Sequence, residues 1–139
     1  KISFTAALKY SSVHNMQFYC NDSINFNKFN VLYSDADVLN VHAEVGYHQN
    51  EKLNIAFHFD QYSYSGYGLA KPWYKPMTEV RLITKYNLQD KIIVNFSVLG
   101  RGKEYAGIEN NSVYILKGYA DVNLELSIVF RKCFPSMQT

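Results

Sequence analysis

Strict alternation of apolar and polar residues over long stretches is the feature that most restricts how this chain can fold. From Tyr119 to Phe130, one set holds Ala120, Val122, Leu124, Leu126, Ile128 and Phe130, and the other holds Tyr119, Asp121, Asn123, Glu125 and Ser127. A helix would spread both sets around its surface, whereas a strand separates them onto two faces. The pattern recurs from Ile2 to Tyr10, Val41 to His48, Leu53 to Asp60, Val80 to Tyr86 and Ile92 to Leu99. Residues 16–33 also read as extended. The expected fold is therefore all-β, with about seven long strands at 1–10, 16–33, 38–48, 52–63, 77–87, 91–99 and 118–130.

The links predict the topology. Short turns, expected at 49–51 and 88–90, alternate with long links rich in Gly, Tyr and Pro at about 64–76 and 100–117. That alternation describes an antiparallel up-and-down meander with unlike ends. A weak repeat agrees: Tyr47-x-x-x-Glu51-Lys52-Leu53 returns about forty residues on as Tyr86-x-x-x-Asp90-Lys91-Ile92, one hairpin per repeat. Tyr10 stands at a similar interval before Tyr47, ahead of another expected turn. Keeping the apolar sets on one side requires paired residue numbers with an even sum. Three-residue turns then place 48 opposite 52 and 87 opposite 91, and a slip by one would reverse the faces.

Composition narrows the setting. Charged residues make up 19% of the chain and aromatics 16%, with 12 Tyr and 9 Phe against one Trp. Net charge is +2 with no basic run, which argues against a nucleic-acid partner. No apolar run is long enough for a transmembrane helix, but a barrel strand presents only one apolar face and needs no such run. Strand runs near ten residues match the length that crosses a bilayer at a tilt, against about five or six in soluble sheets. Aromatics gather near strand ends: Tyr10, Tyr47 and Tyr86 toward the short turns, and Tyr62, Tyr64, Tyr67, Trp73 and Tyr74 toward the long links. They read as two interfacial girdles.

These features together predict a segment of a transmembrane β-barrel. Val94, Phe96, Val122, Leu124, Leu126 and Ile128 would face lipid. His42, Glu44, His58, Asp60, Arg81, Asn95, Asp121, Asn123 and Glu125 would line a polar lumen. Bacterial single-chain barrels have an even number of strands, eight or more. Seven strands, and a tail from Arg131 to Thr139 that abandons the alternation, suggest part of a larger barrel with strands missing at both ends. The rival class is a soluble β-sandwich that binds carbohydrate through the aromatic loop, its apolar face buried under a second sheet.

No residue set demands catalysis. His42 and His58 are expected directly opposite one another, with Glu44 two residues along. Such a trio could ligate zinc, but it is read as part of the polar wall, so no metal and no cofactor is expected. Asp121, Asn123 and Glu125, with Asp60, Glu79, Arg81 and Lys85, read the same way. Gly100-Arg101-Gly102-Lys103 lacks the strand–loop–helix setting of a phosphate loop. The chain is not expected to be an enzyme. Cys20 and Cys133 have no metal-type spacing, and a disulfide between them is left open.

Val45-Gly46-Tyr47-His48-Gln49-Asn50-Glu51-Lys52-Leu53, Lys71-Pro72-Trp73-Tyr74-Lys75-Pro76, the Tyr86–Ile92 repeat and the stretch from Leu116 through Leu124 to Phe130-Arg131 resemble the barrels of TonB-dependent-receptor-like proteins of Bacteroidota. The resemblance covers most of residues 38–131. It implies the C-terminal part of an outer-membrane transporter, with solute uptake as its role. The partners it implies are outer-membrane lipid, the remaining strands and plug of a parent protein, and a TonB-type energising complex.

Overall fold

In a computed structural model, residues 1–22, 28–89, 91–109 and 112–128 are described, and among them there is no helix. The strands are β1 (Ile2–Asn21), β2 (Phe29–Gln49), β3 (Leu53–Ser65), β4 (Thr78–Leu88), β5 (Ile92–Arg101), β6 (Glu104–Glu109), β7 (Ser112–Leu116) and β8 (Tyr119–Ile128). Six form one sheet in the order β1-β2-β3-β4-β5-β8, and β6 and β7 pair separately. Every pairing in the main sheet is antiparallel and follows chain order as expected of a meander, except that β8 joins β5 after the separate β6–β7 hairpin. The sheet does not close: among the described residues, the free edges of β1 and β8 carry no partner strand.

The strand count corrects the sequence reading. The stretches at 1–10, 16–33 and 38–48 are two strands, of 20 and 21 residues. The turn expected after Tyr10 is a β-bulge between Val13 and Met16. Asn15 adopts φ 54° there, a left-handed conformation that Asn tolerates better than most residues. The Asn15 N–H donates to Asp35 Oδ1 at 2.9 Å, so this donor, displaced from the ladder, still has an acceptor. Phe130, Cys133, Asp90 and the tail lie outside the described residues.

Both tight turns fall one residue later than expected. Gln49 pairs with Leu53 and Leu88 with Ile92. Asn50 and Gln89 open the loops at φ 50° and 53°, and the Lys52 and Lys91 N–H groups donate back to the Gln49 and Leu88 carbonyls. The register thus moves by two residues, which preserves the faces. Ile2, Phe4 and Leu8 on β1 align with Tyr47, Val45 and Val41 on β2, then with Ile55 and Phe57 on β3. The row continues through Leu82 and Val80, then Val94, Phe96 and Val98, to Leu126, Leu124 and Val122. One apolar face therefore crosses all six strands.

Among the described residues, no second sheet covers that face. Leu8 and Leu124 are each 72% exposed, and Val94 and Phe96 are partly exposed at the sheet's centre. The buried core sits elsewhere, at the end with the long links. There the bulge has reversed β1, so that Phe18 pairs with Leu32 and joins the polar side of the sheet. Phe18 (0% exposed), Ala36 and Trp73 (3%) form a cluster, with Met16, Cys20, Leu32, Tyr67 and Tyr74 against it. Loop 66–77 folds over this cluster. The Tyr74 hydroxyl donates to Asn21 Oδ1 at 2.6 Å, and Trp73 bridges to Tyr105 of β6. Burial pushes the Lys75 ammonium below its ordinary range, its Nζ lying 5.6 Å from the Phe18 ring centre.

Gly118, between β7 and β8, closely approaches the backbone at the end of β5. A β-carbon there would stand 2.6 Å from the Arg101 carbonyl oxygen and 3.3 Å from the Gly102 carbonyl carbon. Both contacts are backbone, so neither can rotate away. Gly118→Ala is expected to part β8 from β5 at this end and cost about 1–3 kcal/mol, the range for overpacking. Urea unfolding should show the loss, and an unchanged midpoint would refute the crowding.

Candidate functional site

The nine polar residues expected on one face share it. The pairs are His42 with Asp60, Glu44 with His58, His58 with Arg81, Asn95 with Glu125, Ser97 with Asn123 and Leu99 with Asp121. The six residues expected on the other face are likewise together. The expected His42–His58 pairing is wrong: the later turn sets each histidine opposite a carboxylate. The rings remain diagonal neighbours, with centroids 6.2 Å apart and planes inclined by 37°.

The result is a compact cluster at the centre of β2 and β3. His42 Nδ1 lies 2.8 Å from Asp60 Oδ1, and Asn40 Nδ2 donates to the same oxygen at 3.1 Å. His42 Nε2 is 3.8 Å from Glu44 Oε2, and His58 Nδ1 is 3.5 Å from it. All four side chains are partly buried, with 23–38% of their surface exposed. A depression of about 240 Å³ opens beside them, bounded by His42, His58, Asp60, Tyr62, Glu79 and Arg81. Glu79 is held by Arg101, whose Nε lies 2.9 Å from its Oε1. Alternation on successive strands is the cause of this gathering: residues two apart project to one side, and pairing brings the two strands' sets together.

The aromatics expected near the two strand ends stand there only in part. Tyr47 and Tyr86 stand on the apolar face near the short turns. Tyr10 does not: it pairs with Leu39, toward the long links, because no turn follows it. Trp73 is buried in the cap, with Tyr67 and Tyr74 packed against the same cluster. Tyr62 and Tyr64 share the polar side, stacked with centroids 6.3 Å apart, and the Tyr64 hydroxyl donates to the Pro76 carbonyl. Instead, Tyr19, Phe29 and Tyr33 are the exposed aromatics on the outer side of the long-link end. With Trp73 enclosed, the loop offers no open indole platform for a sugar. The β6–β7 hairpin was missed within the link expected at 100–117. Its signal was the Asn110-Asn111 pair between two short runs of strand-favouring residues.

No family model, curated protein or solved structure matches this chain.

Proposed function

We propose that the chain is part of the wall of a bacterial outer-membrane β-barrel that serves passage or uptake of a solute, with no catalytic step. The observation that carries this reading is the uncovered apolar face, continuous across six strands and backed by a continuous polar face. A soluble protein rarely leaves an apolar surface of this extent open. Lipid would cover one side and water the other, and a barrel would supply the partners that both sheet edges require.

The slant of the apolar band supports the same reading. On β2 the band reaches Leu39, whose partner on β3 is the polar Ser63; on β3 it stops at Phe59. On β5 it stops at Val98, opposite Leu82 rather than Val80. The edge of the band moves toward the short turns from β2 to β3 and again from β4 to β5 but not from β3 to β4 or from β5 to β8, an average of roughly one to two residues per strand. With ~4.8 Å between strands and ~3.4 Å per residue, this corresponds to strands tilted by roughly 45° to the band. Membrane barrels tilt their strands by about 35–45°. By the sequence resemblance, the parent would be a TonB-dependent-receptor-like transporter with a plug and an energising partner.

The test is a pair of fluorescent labels on the full chain, with Cys20 and Cys133 changed to serine, reconstituted in phospholipid vesicles. A label at Leu124→Cys is expected to be quenched by lipid-borne quencher and shielded from iodide, and one at Asn123→Cys the reverse. Equal access of iodide to both positions would refute the membrane reading.

A further inference from the structure

We infer that His42, Glu44 and His58 form a binding site for a zinc-class divalent cation on the polar face, with Asp60 orienting His42. The inference does not depend on the membrane reading, because it rests on the β2–β3 pairing alone. One ligand atom from each of the three residues lies within 4.8 Å of the others. Tetrahedral zinc, with bonds of about 2.0–2.1 Å, sets its ligand atoms about 3.3–3.4 Å apart. The His58 Nδ1 to Glu44 Oε2 distance of 3.5 Å is already close to that edge, the His42 Nε2 to Glu44 Oε2 distance is 3.8 Å, and closing on the ion requires the two imidazoles to turn toward each other from within 4.8 Å.

The contact to Asp60 is what distinguishes this group from two histidines on a wet wall. Asp60 Oδ1 lies 2.8 Å from His42 Nδ1, so Nδ1 carries the proton and donates it. The Nε2 lone pair is thereby left free on the side facing Glu44. Metal-ligating histidines almost always donate their second ring N–H to such a partner, which fixes the tautomer and raises ligand basicity. Asn40 in turn donates to Asp60, so the orienting carboxylate is itself held.

Charge and donor type select the cation. Glu44 and Asp60 bring two negative charges, against the single positive charge of Arg81 beside His58. Glu79 is engaged by Arg101 and adds little. Two imidazoles with a carboxylate suit zinc, nickel or copper, whereas calcium and magnesium prefer oxygen alone. Three protein ligands leave one position open toward the adjoining depression, available to water or to a group on a passing solute.

The experiment is zinc titration of the full chain folded in detergent, followed by calorimetry, with cobalt as a spectroscopic substitute. One zinc per chain is expected, bound at micromolar concentration or tighter, with no calcium binding. Cobalt should give the intense visible absorption of a tetrahedral site. His42→Ala and His58→Ala should each weaken binding at least about 30-fold, and Asp60→Asn about 10-fold, the lower end for loss of an orienting partner. His48→Ala, on the same face beyond the cluster, should bind as the parent does. A variant that loses the β signature in circular dichroism is replaced by His42→Asn or His58→Gln, which keep a polar side chain. Zinc should also protect His42 and His58 of the unaltered chain from acylation by diethyl pyrocarbonate. Absence of zinc binding, binding unaffected by both histidine changes, or no protection in the unaltered chain would each overturn the site.

Discussion

If the proposed membrane wall is correct, replacing Leu124 with arginine is expected to destabilise the bilayer-inserted sheet by about 2–4 kcal/mol, the cost of a guanidinium near the midplane. Leu124 sits midway along the apolar run of β8, opposite Phe96, with 72% of its surface open. Asn123, its neighbour, pairs with Ser97 on the polar side, and Asn123→Arg should cost far less. The exposure sharpens the contrast. At a water-facing site an exposed leucine is replaced by arginine within about 0.5 kcal/mol. Folding titrations into phospholipid bilayers should separate the two variants, and detergent-free buffer is the control. Equal insertion of both variants, or a wild-type chain that folds as a soluble monomer in that buffer, would defeat the proposed function.

Phe18→Ala is expected to cost about 3–5 kcal/mol, the range for truncating a buried phenylalanine. Phe18 is fully enclosed, with the Tyr67 ring centre 6.0 Å away and Lys75 over its face. The cluster joins loop 66–77 to the far halves of β1 and β2, so the loss should be local to the cap. Trp73 is the only tryptophan of the chain and lies in this cluster, which makes its emission a direct reporter. A red shift and an earlier Trp73 transition in urea are expected, while amides of β3, β4 and β5 keep their protection from exchange. An unshifted Trp73 transition would show that this cluster does not hold the cap together.

The faces were legible in the sequence because strand geometry has a period of two, and nothing along β3, β4, β5 or β8 interrupts it. Leu124 and Asn123 could be assigned to opposite sides without knowing which residues they pair with. Register was harder. It depends on which residue opens each turn, and Asn50 and Gln89 take a left-handed conformation that neither neighbouring position signals strongly. The two-residue slip left every face intact, yet it moved His42 from His58 to Asp60, and with it the contact that orients the ring. The cap was illegible for a different reason. Tyr67, Trp73 and Tyr74 resemble interfacial aromatics in composition, and only the three-dimensional return of loop 66–77 onto Phe18 encloses them.

The bulge at Val13–Met16 acts on β1 as a frameshift acts on a message. Before it, even-numbered residues belong to the uncovered apolar face; after it, even-numbered Met16, Phe18 and Cys20 belong to the cap. A single extra residue thus lets one unbroken strand address two different environments in succession. The phase also limits how the strand can change length. Adding or losing one residue below the bulge would invert the apolar face, and doing so above it would turn Phe18 outward. With every residue kept but the bulge ironed into a regular ladder, Gln17 would fall opposite Leu32, Gln17 and Tyr19 would face the cap, and Trp73 would have no phenylalanine to meet.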